Sequence, residues 1–359
     1  MTPYFLVYAI ISMFAIFDFS IEKRKVKTLL MFLLGIFFIC FAGLRWDVGT
    51  DWEQYLYFFD VVDLSSIGQA GHEFFYEILL RISKSIFDSY TAMLFLTACM
   101  IVYFTYSGIE KYSVYPMLSI LILYSYSINS SGFGYRQDIA IAIVFFAFRY
   151  IQQRKLKKFL VWIFIATLFH QTAIIFTCAY WVYNFKWNKK YFIILVVSTI
   201  FGYLLMSKLD FIAGLYTQSA QGKLDYYMDN KDETFGAGDA NTVLIRGVFN
   251  RMFLLVIPLI VIFTGKDEKV EELKKLYNIF LFGFIFFIVF GSVAVVFLRF
   301  TRYFDIFQIL VIPLTLRLSA PKHRFPLLML LIIYLFIKFL LVIINDNGIY
   351  VPYKTIFDI

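Results

Sequence analysis

Apolar residues run along this chain in long blocks separated by short polar or basic interruptions. The first block extends from Pro3 to Phe19 and is followed by Glu22-Lys23-Arg24-Lys25-Val26-Lys27. Later blocks lie near 28–44, 91–109, 115–131, 137–151, 191–207, 244–264, 276–296, 304–317 and 326–344. Most approach the roughly 20 residues that carry a helix across a hydrocarbon core of about 30 Å. The stretch 159–183 is flanked by Arg154, Lys155, Lys157 and Lys158 before it and by Lys186, Lys189 and Lys190 after it. One crossing would put one of these basic clusters outside, against the bias of Lys and Arg for the cytoplasmic side. Two short helices turning near His170 keep both inside. Each arm of about 12 residues reaches roughly 18 Å, less than the core thickness. The turn then lies at membrane depth, where irregular backbone needs protein or a wet cavity around it.

This threading predicts an all-α polytopic membrane protein with about 12 membrane-crossing helices, one pair forming a short re-entrant-like hairpin, and both termini outside. The inside loops hold 19 Lys and Arg and the outside loops 10, the expected sense of the bias. Residues 1–359 read as a single integral membrane domain with outside loops near 45–90 and 208–243. The first block has no basic residues before it and no small-residue cleavage site after it, so it reads as an uncleaved span rather than a signal peptide.

Composition narrows the function classes. Of 359 residues, 61% are apolar and 16% charged, against roughly 45–50% and about 25% in soluble domains. A soluble globular enzyme, a disordered chain and a nucleic-acid-binding domain are excluded, because no folded surface carries this much apolar side chain in water. Cys40, Cys99 and Cys178 lie in apolar runs without metal-ligand spacing and read as small buried hydrophobes. There is no G-x-x-x-x-G-K-[ST] phosphate loop, so ATP-driven transport by this chain alone is disfavoured. The inside loops are short and basic, whereas the outside loops are long, polar and aromatic. The chemistry is expected on the outside.

Four outside segments carry candidate chemistry. The first runs from Arg45 through Trp46, Asp47, Gly49, Thr50, Asp51, Trp52 and Glu53 to Tyr55. Thr50-x-x-Glu53 fits a capping box for a helix beginning at Asp51. Asp51 is then an ordinary first-turn acid and Arg45 a snorkelling interface residue. Against that, guanidinium forks match phosphate oxygens, carboxylates accept sugar hydroxyls, and indoles stack on sugar faces. The second segment is Ser130-Ser131-Gly132-Phe133-Gly134-Tyr135-Arg136-Gln137-Asp138, a glycine-bearing turn that opens a helix with its positive end outside. The third is Phe169-His170-Gln171-Thr172 at the proposed hairpin turn, either a hydrogen-bonded core histidine or a general base. The fourth is Leu298-Arg299-Phe300-Thr301-Arg302-Tyr303, whose arginines share a face if helical. Interface anchoring is the simpler reading for that pair.

In order and spacing, these pieces resemble the EpsG family, the Wzy-like polymerases of exopolysaccharide, capsule and O-antigen. The resemblance rests on Arg45-Trp46-Asp47-Val48-Gly49-Thr50-Asp51-Trp52-x-x-Tyr55, on Arg136-Gln137-x-Ile139-Ala140, on Ala166-x-Leu168-Phe169-His170-x-Thr172-Ala173, and on Arg299-x-x-Arg302-Tyr303-Phe304. Pro352-Tyr353-Lys354 is a further echo. Trp52 stands where Tyr is expected and Gln171 where Pro is frequent. The resemblance implies joining of oligosaccharide repeat units carried on undecaprenyl diphosphate at the outer face of a bacterial inner membrane. It also implies a fold related to type C glycosyltransferases. Arg45, Arg136, Arg299 and Arg302 would then hold the diphosphate without a metal or cofactor, and His170 or Asp51 would serve as base. Asp47, Trp52, Tyr55, Gln137 and Tyr303 would contact saccharide. Membrane lipid and a chain-length regulator are the further expected partners, and nucleic acid is not one. Rival readings are a lipid-linked saccharide flippase, which would need matched cavities and usually repeated halves, and a membrane acyltransferase. A non-enzymatic scaffold would leave the four polar clusters unexplained.

Overall fold

Long apolar runs without water around them have one economical solution, the helix, because it satisfies every backbone N–H and C=O within the segment. The computed structural model describes residues 1–49, 51–64, 73–128, 136–187, 240–290, 295–344 and 348–358, with isolated positions between 193 and 204. They form two compact units, Met1–Ile174 with Ile312–Ile359, and Ile175–Val311. The first unit contains α1 (Thr2–Phe17), α2 (Arg24–Gly43), α3 (Trp52–Val61), α4 (Phe74–Phe87), α5 (Tyr90–Tyr112), α6 (Pro116–Ile128), α7 (Arg136–Gln152) and α8 (Leu156–Thr167). A 3-10 segment, Gln171–Cys178, leads into the second unit with α9 (Ala179–Val182), α10 (Ala240–Thr264), α11 (Val270–Phe290) and α12 (Val295–Asp305). The chain returns through α13 (Gln308–Leu318) to α14 (Pro321–Ile344) in the first unit.

In the first unit α7 is the central post. Ile139, Ile143, Val144 and Phe145 are all fully buried. A helix apolar on every side belongs in the interior. It packs against α5 and α8, and α5 packs in turn against α2. The α5–α7 contact is close at Gly108, where an added Cβ would lie 2.5 Å from the Phe145 ring. Small residues permit such approach between apolar helices. The outward faces are apolar too. Leu29, Phe32, Leu33 and Ile36 of α2, and Leu330, Ile333 and Ile337 of α14, are exposed. Contiguous exposed stripes of this kind are surfaces for lipid.

Among the described residues, five helices are long and apolar enough to cross a membrane, on α2, α5, α10, α11 and α14. Three shorter apolar segments are Thr2–Phe17, Pro116–Tyr126 and Gln171–Val182. The expected span near 191–207 lies largely outside the described residues, as do 208–239 of the second long loop and the glycine turn 130–135.

The two ends of the first unit are held by different polar contacts. At one end Lys27 pairs with Asp18 at 2.7 Å, the Met117 backbone N–H donates to Asp18 at 2.8 Å, and Arg24 donates to the Glu110 carbonyl. All belong to segments expected inside. At the other end of α1 and α2, the Tyr4 hydroxyl donates to the Tyr350 carbonyl at 2.9 Å. There the Trp46 N–H donates to the Lys354 carbonyl and the Ile356 N–H to the Leu44 carbonyl, each at 3.0 Å. The C-terminal segment is thereby laced to the start of the first outside loop.

Three local expectations need correction. The helix expected from Asp51 begins at Trp52, and Asp51 sits before it with φ 61° and no side-chain cap bond, while Thr50 lies outside the described residues. The chain arrives through Asp47 at φ 52° and Gly49 at φ 109°, and the cap position itself, Asp51, is left-handed rather than extended. The second arm of the proposed hairpin is a 3-10 segment followed by a single α turn, not an α-helix. Finally, Cys40 and Cys99 are exposed rather than buried, because in an apolar solvent the outward helix faces are themselves apolar.

Candidate functional site

The site is built where α8 stops short. Its 12 residues rise about 18 Å, whereas the 17 residues of α7 rise about 25 Å. The chain breaks at Leu168–His170, with the His170 N–H still bonded to the Ala166 carbonyl at 2.9 Å. The Leu168 carbonyl accepts from the Phe75 N–H at 2.9 Å, which docks the first turn of α4 on the break. Glu73, the extended residue before α4, is thereby carried to His170. Arg136 is the first residue of α7 and reaches the same point.

Glu73 is the hub. Its Oε1 lies 3.0 Å from His170 Nδ1 and accepts from the Gln171 backbone N–H at 3.3 Å. Its Oε2 accepts from the Arg136 guanidinium at 2.7 Å. Arg136 Nε donates to the Tyr55 hydroxyl at 3.1 Å, and the guanidinium lies 5.7 and 5.6 Å from the ring centres of Tyr55 and Tyr76. The side chains of Glu73, His170 and Arg136 are 9%, 14% and 24% exposed. Burial pushes the Glu73 carboxyl up, but the His170 hydrogen bond and the Arg136 charge outweigh it and hold the group down at about 2. Burial raises the Tyr55 phenol, with Arg136 opposing. Glu73 is therefore a permanent anion at neutral pH. His170 Nε2 is buried and has no hydrogen-bond partner among the described residues.

Helix α3 links this cluster to the first outside motif. Trp52 and Tyr55 are three apart and share a face. Tyr55 meets Arg136, and Trp52 lies 6.0 Å from the guanidinium of Arg45. Arg45 is 1% exposed and forms an isolated antiparallel bridge with Thr355. Trp52 is 4% exposed, packed edge-on against Trp46 and Tyr90. Stacking on a sugar would require its ring to be uncovered. Asp47 pairs with Lys354 at 2.6 Å. Asp51 is exposed at the head of α3, and Gln137 is buried beside Arg136.

The profile of the EpsG family matches residues 28–355. The chain belongs to the EpsG family. Membership implies a polysaccharide-polymerase type of function, in keeping with the apolar helices. Neither the curated proteins nor the solved structures compared with the chain gave a match.

The fourth motif of this EpsG-family chain lies in the second unit. It is helical, on α12, where the spacing of the apolar blocks leaves a short turn between 296 and 304, with Arg299 exposed, Arg302 partly exposed and Tyr303 buried. Asp305 closes that helix and pairs with Arg251 of α10 at 2.6 Å. Arg251 also lies 4.2 Å over the Phe287 ring of α11. The sequence motifs did not include Glu73. Its only local signal is an acid just before the apolar run Phe74-Phe75-Tyr76, which reads as an ordinary helix-start acid. Its partners lie 63 and 97 residues away.

Proposed function

We propose that this EpsG-family protein is a polymerase that joins oligosaccharide repeat units carried on undecaprenyl diphosphate at the outer face of the cytoplasmic membrane. The reading includes about 12 crossings in an arrangement related to type C glycosyltransferases. One observation supports it: Glu73 brings an imidazole whose Nε2 has no hydrogen-bond partner among the described residues, that of His170, to the neighbourhood of a guanidinium at a helix N-terminus, Arg136. A base beside an anion-binding cation suits sugar transfer from a lipid diphosphate.

In the reaction a hydroxyl oxygen of the incoming unit attacks the anomeric carbon of the growing chain. The bond from that carbon to the phosphate oxygen breaks, and undecaprenyl diphosphate leaves with the electron pair. The hydroxyl proton passes to His170 Nε2. Charge develops on the leaving diphosphate, and fixed cations at that point act most strongly where water is excluded. Arg136 takes this role in this reading, and Arg45, Arg299 and Arg302 are the other candidate cations. Asp51 is the second candidate base. Asp47, Trp52, Tyr55, Gln137 and Tyr303 complete the saccharide contacts in this reading.

The test mixes purified full-length protein in vesicles with the lipid-linked repeat unit and follows chain extension on a gel. His170→Ala and Arg136→Ala are each expected to slow extension about 100-fold or more. Extension at the wild-type rate by both variants overturns the site. Wild-type protein that moves the lipid-linked unit between leaflets without making a ladder is instead a transporter.

A further inference from the structure

We infer that Glu73 is a positioning residue that sets the tautomer of His170 and, through its other oxygen, fixes Arg136 beside it. This deepens the proposed function and rests on it for its catalytic consequence, though not for its structural one.

The argument begins with what an imidazole can do. A neutral ring has one N–H and one lone pair, and the partner of one nitrogen decides which atom carries the proton. Glu73 Oε1 lies 3.0 Å from Nδ1. A carboxylate held at about 2 has no proton to give at neutral pH, so it only accepts, and Nδ1 must donate. The lone pair is then on Nε2, the nitrogen with no hydrogen-bond partner among the described residues. A base oriented by a third group is the general design for proton abstraction by histidine. Glu73 itself is a poor base for the reaction, because both of its oxygens are engaged.

Its geometry also explains why one carboxylate serves two groups. Oε1 holds the imidazole and the Gln171 N–H, and Oε2 holds the guanidinium at 2.7 Å. The distance between the base and the cation is thus set by the width of a single carboxylate. The residue precedes α4, outside the four sequence motifs, and is anchored there by the Phe75 N–H on the Leu168 carbonyl. Among the described residues, the titratable and charged groups in this cluster with His170 are Glu73 at the start of α4, Arg136 on α7, and Tyr55 and Tyr76 behind the guanidinium. Glu73 is the anion among these four.

Two measurements on the full-length protein test this. The chain has three histidines, so nitrogen NMR of histidine-labelled protein in detergent is tractable, with His170→Ala identifying the relevant signals. The wild-type ring is expected as the neutral Nδ1–H form, and Glu73→Gln is expected to change it, since an amide can donate as well as accept. A wild-type His170 protonated on Nε2 overturns the inference whatever the protein polymerises. In the extension assay, Glu73→Gln is expected to lower kcat 10- to 100-fold with little change in KM. Glu73→Asp keeps the charge and should recover part of kcat. A merely structural role would lower the amount of folded protein without changing the His170 tautomer or the kcat per folded molecule. An inactive His170→Ala beside a Glu73→Gln of wild-type kcat overturns the positioning role alone. A fully active His170→Ala overturns the function reading instead.

Discussion

Asp18 and Glu73 are both buried carboxylates with a cation at 2.7 Å, and they lie at opposite ends of the first unit. Asp18 is 0% exposed and spends its oxygens on Lys27 and on the Met117 backbone N–H at the start of α6. Lys27 in turn donates to the Asp18 carbonyl and sits 5.4 Å over the Tyr115 ring. These partners tie three helix ends together and leave nothing pointing at a substrate. Glu73 spends its oxygens on an imidazole and a guanidinium, both of which have chemistry of their own. The same ion-pair physics thus fastens the fold at one end and arranges reactive groups at the other. Each carboxylate also takes one backbone N–H, from Met117 and from Gln171, so the difference lies in the side chains: a lysine at Asp18, an imidazole beside a guanidinium at Glu73.

Acid should separate the two ends most strongly. A carboxylate held below its ordinary value stabilises the fold at all pH values above the unfolded value of 4.5, and that stabilisation is lost as pH falls through the folded value of about 2. The stability advantage of wild type over Glu73→Gln is therefore expected to be on the order of 3 kcal/mol near neutrality and to shrink between about pH 4.5 and 2. Denaturant unfolding of both proteins across that range measures it, and a gap independent of pH contradicts the Glu73 ion pair. Next in size is Asp18→Asn. It keeps an acceptor for Met117 and loses the Lys27 charge, for an expected destabilisation of about 1–3 kcal/mol. Extension rate per folded molecule should be unchanged, and a rate that falls as it does for Glu73→Gln would erase the contrast between the ends. The smallest effect belongs to Tyr55→Phe, which removes the acceptor for Arg136 Nε. A single hydrogen bond to a charged group corresponds to about 1.5–3 kcal/mol at most. Glu73 still holds the guanidinium, so roughly a fivefold loss of extension rate is expected, read in the same gel assay.

Composition and the spacing of apolar runs were enough to read the helical class and the break at His170. These follow from local physics: a chain in an apolar solvent must close its own backbone hydrogen bonds. The family was legible for a related reason, since its motifs are short runs of neighbouring residues. Secondary detail was harder. The start of α3 slipped by one residue because Asp47, Gly49 and Asp51 take positive φ in a turn held by long-range bonds such as Gly49 N–H to the Ile349 carbonyl at 2.8 Å.

What only tertiary structure decided is the company each polar residue keeps. His170 and Arg136 were candidates by type, but nothing local gave them a common partner. Glu73 looks in sequence like any acid ahead of a helix, and it becomes the hub because α4 docks on the carbonyl that a short α8 leaves open. Trp52 reads as a sugar platform by composition, yet its ring is packed between Trp46 and Tyr90 once α3 is in place. Periodicity along a chain fixes which face of a helix is apolar. The meeting of groups 63 and 97 residues apart depends on how helices of unequal length stack, and that is a property of the packed assembly rather than of any one segment.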